Sequence, residues 1–272
     1  MPELPEVETI RRDLLPIVTG RAITEAMISP NAPRLVQLIP PPEFCRQIAG
    51  RRIEDISRRG KYMVLHLSDG LFWIVHLRMT GRLFYRDESC PEGPHLRATF
   101  RLDPTGWLCF ADLRKFGTMW LVDDPEIVLS KLGPEPLSDE FTVEHLRAAL
   151  KRRSAPVKSV LLDQAAIAGI GNIYADEALF NAGISPRRAA NKISKAKAEA
   201  LHAGVRQALI DALGDRGSSF NDYVDGSGRS GGHQLKVKVF RRTGMPCYTC
   251  GTEIRRIKVA GRSTHFCPKC QR

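Results

Sequence analysis

Val7, Ile10 and Leu14 recur at helical spacing just after Pro2 and Pro5, with Glu3 and Glu6 near the start, where a helix dipole favours acids. This predicts an opening helix that Gly20 can end. The period then shortens. Runs rich in β-branched, aromatic or leucine residues at 21–28, 51–57, 62–67, 71–77, 97–102, 107–110 and 118–122 predict short strands. Ser68-Asp69-Gly70 and Asp103-Pro104-Thr105-Gly106 have the turn chemistry of hairpin connections. Short strands with close turns predict an antiparallel β-sandwich rather than a parallel α/β sheet.

The composition shifts near Asp123-Asp124-Pro125, and Gly133-Pro134-Glu135-Pro136 reads as a linker. Beyond it the pattern is helical. Thr142 caps a helix carrying Val143, Leu146 and Leu150; Pro156 opens another through Leu161; Asn172 begins a third through Phe180; and Ser194 caps the longest, which runs to Gly214. Residues 217–232 are rich in glycine, serine, asparagine and aspartate and read as a flexible loop. The predicted fold class is α+β. It comprises an N-terminal antiparallel β-sandwich with flanking helices (1–130), a linker (131–138), a helical domain (139–235) holding the 217–232 loop, and a C-terminal β-hairpin module (236–272).

Hydrophobic residues make up 43% and charged residues 26% of the 272, the balance of a soluble globular chain. No apolar run reaches the length of a membrane span and no signal-peptide pattern is present, which predicts a cytoplasmic protein. The net charge of +11 is unevenly placed. Residues 229–272 hold eleven Lys/Arg against one Asp/Glu, whereas 1–228 hold thirty against twenty-nine. One basic end suits a polyanion such as nucleic acid.

Cys247, Cys250, Cys267 and Cys270 form C-x2-C-x16-C-x2-C. Two such thiolate pairs close a tetrahedral structural zinc site, and in a cytosolic chain they are poor candidates for disulfides. Flanking runs 254–259 and 262–266 predict a hairpin across Ala260-Gly261. Cys45, Cys90 and Cys109 stand singly among apolar neighbours and read as inert packing residues. His265 reads as structural, because four cysteines already complete the metal site.

The N-terminus carries candidate chemistry. Removal of Met1 ahead of a small residue leaves the secondary amine of Pro2 as chain terminus. An α-amino group titrates near ~7.7–8, against ~10.4 for lysine, so part of it is neutral and nucleophilic at physiological pH. A secondary amine attacking a carbon next to oxygen gives a charged iminium, which acts as an electron sink. Glu3 and Glu6 lie within one turn of it and can move protons. By themselves, however, prolines and acids here are also an ordinary helix start.

The run Pro2-Glu3-Leu4-Pro5-Glu6-Val7-Glu8-Thr9 resembles the signature of the formamidopyrimidine-DNA glycosylases, bacterial enzymes that excise oxidised purines. Further motifs follow in the family's order: Lys61 in Arg58-Arg59-Gly60-Lys61-Tyr62; Met79 in His76-Leu77-Arg78-Met79-Thr80-Gly81; Arg114 and Phe116 in Asp112-Leu113-Arg114-Lys115-Phe116-Gly117; Asn172 in Gly169-Ile170-Gly171-Asn172; and Arg262 beside the tip of the zinc hairpin. Leu4 places the chain nearer this branch than the related endonuclease VIII branch, which has glycine there.

The resemblance implies a helix–two-turns–helix element in the helical domain and one structural zinc. It implies a bifunctional glycosylase/AP lyase of base excision repair, acting as a monomer on damaged double-stranded DNA in the bacterial cytoplasm and nucleoid. Pro2 would attack C1′ of the lesion's deoxyribose, Glu3 would protonate the ring oxygen, Glu6 would position the terminus, and Lys61 would contact DNA beside the lesion. Elimination of the 3′ and then the 5′ phosphate would follow. Met79, Arg114 and Phe116 would fill the stack left by the flipped base, while Asn172 and Arg262 would hold backbone phosphates. His233 stands where many members have an aromatic residue before the glutamine matching Gln234, next to the loop that caps the flipped purine. Two other readings use part of the same features: a zinc-ribbon binding protein without catalysis, and a damage sensor that flips bases but has lost the chemistry.

Overall fold

The computed structural model describes residues 1–90, 93–219 and 231–272. These form two compact units, one built from Met1–Ser130 and the described part of 216–232, the other from Lys131–Asp215 and His233–Arg272. In chain order the first unit comprises α1 (Leu4–Val18), β1 (Ile23–Ile28), α2 (Pro41–Ile48), β2 (Ile53–Arg59), β3 (Tyr62–Leu67), β4 (Phe72–His76), β5 (Gly81–Arg86), β6 (Leu96–Leu102), β7 (Trp107–Asp112), β8 (Thr118–Val122) and α3 (Glu126–Leu129).

The strands form two four-stranded sheets, in the orders β1-β6-β7-β5 and β2-β3-β4-β8, and every strand pair is antiparallel. Alternate side chains point to opposite faces of a strand, so each sheet turns one apolar face inward. Trp73 of β4 and Phe100 of β6 meet there with ring centroids 4.3 Å apart, and Phe44 of α2 packs edge-on against both. The helical spacing seen in the sequence places Val7, Ile10, Leu14 and Val18 of α1 in this same core. Burial of each such side chain is worth about 1.5–3 kcal/mol.

The second unit contains α4 (Val143–Lys151), α5 (Val157–Leu162), α6 (Asn172–Asn181), α7 (Lys195–Gly214), β9 (Arg255–Val259) and β10 (Arg262–Phe266). Thr142 and Ser194 cap α4 and α7 by accepting the backbone N–H groups of His145 and Lys197. α6 and α7 pack closely at Gly204, where a Cβ would stand 2.8 Å from the carbonyl oxygen of Ala178. β9 and β10 pair across Ala260 and Gly261, both at positive φ, as a two-residue hairpin turn requires. Among the described residues no helix is long and apolar enough to cross a membrane.

Four features differ from the sequence reading. β5 lies between the runs 71–77 and 97–102, where no strand was predicted, and α2 was not anticipated. The prolines at 40–42 look like breakers, yet Pro41 occupies the first turn of α2, where a missing N–H costs nothing. Cys90 and Cys109 are joined as a disulfide with Cα atoms 5.6 Å apart, so they are not inert packing residues; their pairing depends on the fold bringing the β5–β6 connection over β7. Finally, the described ends of the glycine-rich loop group with the first unit rather than with the helices. The body of that loop, 220–230, lies outside the described residues.

Candidate catalytic and nucleic-acid-binding sites

α1 sets the geometry of the terminus. Pro2 is buried beside an exposed Met1, and Glu3 caps the helix. Glu3 and Glu6 are only 2% and 1% exposed. One carboxylate oxygen of Glu6 accepts the Glu3 N–H at 2.8 Å, and the other accepts the Ser218 N–H at 2.8 Å. Both acids are thus withdrawn from bulk water, and the Glu6 carboxylate is fixed by two backbone amides. Asp13, farther along α1, pairs with Arg216 at 2.8 Å, which fastens the same loop root.

Lys61 sits in the tight turn between β2 and β3, after Gly60 at φ +57°, and is 5% exposed. This hairpin is tied to α1 by the Arg58–Glu8 ion pair at 3.2 Å and by Arg11 Nη1 donating to the Ile56 carbonyl at 3.1 Å. Burial raises the Glu8 pKa, but hydrogen bonds from Arg11 and Arg12 and the charges of Arg11 and Arg58 outweigh it and hold the carboxyl at about 2. Across the sheet, His76 pairs with Tyr62. Burial, then the charges of Arg78 and Lys61, push its pKa down to about 3. The imidazole is neutral at physiological pH, and its Nδ1 accepts the N–H of Arg78 at 2.9 Å.

Met79, Arg114 and Phe116 meet at the ends of adjacent strands. Arg114 Nη1 lies 3.5 Å from Met79 Sδ, and its guanidinium sits 4.7 Å from the Phe116 ring centroid. Met79 is 38% and Phe116 48% exposed. Both apolar tips thus stand at the surface beside the Arg114 side chain. Leu113, which the sequence reading did not single out, is exposed in the same loop.

In the second unit Asn172 begins α6 after Gly171, and its Nδ2 donates to the Ser263 carbonyl at 2.9 Å. That carbonyl also accepts Lys158 Nζ at 3.1 Å. Lys158 is fully buried, pairs with Asp176 at 2.6 Å and donates to Thr264 Oγ1 at 2.8 Å. The start of α6 and strand β10 are therefore locked together, and Arg262 is exposed at the head of that strand. The four cysteine sulfurs lie within 4.8 Å of one another, with Cys250–Cys267 at 3.5 Å and Cys247–Cys270 at 3.9 Å. Zn–S bonds of about 2.3 Å place tetrahedral sulfurs about 3.8 Å apart, so the donor set fits one zinc ion. His265 stays outside it, donating its backbone N–H to Asp176.

The N-terminal-domain model of formamidopyrimidine-DNA glycosylase matches residues 1–119, the helix–two-turns–helix model of the same enzymes matches 132–223, and the zinc finger found in these enzymes and isoleucyl-tRNA synthetases matches 244–272. The chain belongs to the formamidopyrimidine-DNA glycosylase family. It is 46% identical to the formamidopyrimidine-DNA glycosylase of Desulforamulus reducens, over all of this chain and 99% of the relative, and 45% identical to that of Chloroflexus aggregans, over 100% and 98%. Among solved structures, the Lactococcus lactis Fpg complex with abasic-site DNA superposes with a TM-score of 0.92 at 37% identity, covering 99% of each chain. The Thermus thermophilus protein superposes at 0.90 with 39% identity, covering 99% of this chain and 98% of that one. As a family member the chain is a DNA repair glycosylase with AP lyase activity, and its four clustered cysteines hold one structural zinc.

Proposed function

We propose that the chain excises 8-oxoguanine and formamidopyrimidines from duplex DNA through a Pro2–C1′ iminium, in the bacterial cytoplasm and nucleoid. The observation that carries this is a buried Pro2 followed by two buried carboxylates, one of them fixed by backbone N–H groups from both sides. Once Met1 is removed, the Pro2 nitrogen attacks C1′ while Glu3 delivers a proton to the ring oxygen. The C1′–N bond to the base breaks, the base leaving with the electron pair and taking up the proton shed by the Pro2 nitrogen; the C1′–O4′ bond then opens onto the proton from Glu3 as the nitrogen lone pair completes the iminium. The iminium acidifies the C2′ protons, so the 3′ and then the 5′ phosphate are eliminated. Glu6 positions the terminus, and Lys61 contacts DNA beside the lesion.

The same reading gives Met79, Arg114 and Phe116 the task of filling the vacated stack, Arg114 also serving the unpaired opposite base. Asn172 and Arg262 hold backbone phosphates. Residues 1–130 carry the chemistry, and 139–235 and 236–272 grip the duplex. This assignment is supported by the family, by the exposure of the three tips and by the basic C-terminal end. A Lactococcus lactis relative has been solved with Fapy-dG containing DNA, which favours ring-opened purines among the substrates.

The test is borohydride trapping with a duplex carrying one 8-oxoguanine opposite cytosine, followed by mass spectrometric mapping. The expected adduct is on Pro2. Pro2→Gly should lose base excision while keeping zinc and DNA binding, and wild-type turnover by that variant would refute the nucleophile.

A further inference from the structure

Asp112 ends β7 and is 1% exposed, and its carboxylate is held by the two loops that carry the exposed tips. One carboxylate oxygen accepts the Gly117 N–H at 2.7 Å; the other accepts the Arg114 N–H at 3.1 Å and the hydroxyl of Thr80, the residue after Met79. Its backbone is engaged too. The N–H donates to the His95 carbonyl at 2.8 Å, and the carbonyl accepts Nε of the buried Arg97 at 2.9 Å. Lys115, between the two clamped amides, is held at φ +58°, a conformation that a non-glycine residue keeps only when its surroundings enforce it. Gly117 leaves no room for change, since a Cβ there would stand 2.5 Å from Phe110 Cζ and 3.2 Å from Asp112 Oδ2.

We propose that Asp112 is a positioning residue that mounts the Met79 loop and the Arg114–Phe116 loop as one rigid wedge, so that base extrusion depends on its carboxylate. Separating stacked bases costs free energy at each step, and a wedge that must first be ordered adds the conformational entropy of every residue fixed. Hydrogen bonds to an ionised acceptor are about twice as strong as neutral ones. A single buried carboxylate with three donors from two loops removes that ordering cost before DNA arrives. The inference rests on the wedge role proposed above for Met79, Arg114 and Phe116.

Asp112→Asn keeps the shape but turns one acceptor into a donor facing a donor. Thr80→Val keeps the acid and removes one of its partners, at a site where failure to fold is less of a concern. Three readouts separate the possibilities: single-turnover excision from the 8-oxoguanine duplex, cleavage of an abasic site in single-stranded DNA, which needs no extrusion, and the fluorescence of 2-aminopurine placed next to the lesion. With Asp112→Asn, duplex excision should fall about 10–100-fold and the 2-aminopurine rise should disappear, while single-strand cleavage stays within about twofold. Thr80→Val should lie between that variant and the wild type. Wild-type duplex excision by Asp112→Asn would overturn the proposal. So would a parallel loss of duplex and single-strand cleavage with Thr80→Val unaffected, which is the mark of a merely structural acid. If the wild type itself excises nothing but Asp112→Asn still abolishes its 2-aminopurine rise, the functional reading fails and the positioning role stands; if the wild type gives no rise, the wedge and the inference fall together.

Discussion

Glu6 accepts the backbone N–H of Ser218 at 2.8 Å although the two residues are 212 positions apart in the chain. The root of the glycine-rich loop is thereby bonded to the carboxylate that also holds the Glu3 N–H, so the first turn of α1 is completed by a segment that follows α7 in the chain.

Gly217 tests this join. Its φ is +80°, and a Cβ there would approach Glu6 Oε1 to 2.9 Å and Cγ to 3.0 Å. Gly217→Ala should displace the Glu6 carboxylate and slow single-turnover excision by about 10–100-fold, the scale of a misplacement near 1 Å. DNA affinity and zinc content, measured in the same preparation, should stay at wild-type levels.

Acid stability should depend on Glu8. Its folded pKa of about 2 lies below the ordinary 4.5, so the unfolded chain binds the proton more readily. The stabilisation is complete above about pH 4.5 and is lost as pH falls towards 2. Glu8→Gln should lower the melting temperature at pH 7 and flatten its decline over that window, as followed by calorimetry. An unchanged pH profile would show that the Arg11, Arg12 and Arg58 cluster does not stabilise the fold.

A second buried acid supports the approach to the zinc hairpin. Glu177 of α6 accepts the backbone N–H groups of Lys238, Val239 and Phe240 at 2.7–3.0 Å. Burial raises its pKa, and these three bonds oppose the rise. Glu177→Gln turns one oxygen into a donor against the Lys238 N–H and should cost about 1–3 kcal/mol, read from denaturant unfolding. The amides of 238–240 should lose protection in hydrogen exchange.

Zinc removal should act on the hairpin rather than on the chemistry. Chelation should unfold residues 244–272 and weaken duplex binding, while single-strand abasic cleavage survives. Arg262→Ala in the zinc-loaded protein should be milder. It removes the one phosphate contact proposed for this residue, so the slope of log K against log salt should shrink by about 0.9; an unchanged slope would exclude Arg262 from the phosphate contacts.

What could be read from the chain was local. The caps at Thr142 and Ser194, the turn at Ala260-Gly261 and the four cysteines each lie within a few residues of what they determine, and each is where the pattern placed it. β5 escaped because Arg82 and Arg86 interrupt its short apolar run; only its register against β7, Gly81 opposite Asp112, makes it a strand. The Cys90–Cys109 bond and the partners of Asp112 escaped for the same reason, since sequence spacing does not encode which segments a sandwich brings side by side. At the start of α1 the motif singled out Glu3 and Glu6, but not that Ser218 would hold one of them.

The Ser263 carbonyl, shared by Asn172 and Lys158, makes the hairpin and the start of α6 a single caliper. Its base is clamped by zinc and its arm by a buried ion pair, so the span between Asn172 and Arg262 is set during folding. Neither end can shift without carrying the other, so a load placed on the hairpin arm is passed through one shared carbonyl to the first turn of α6.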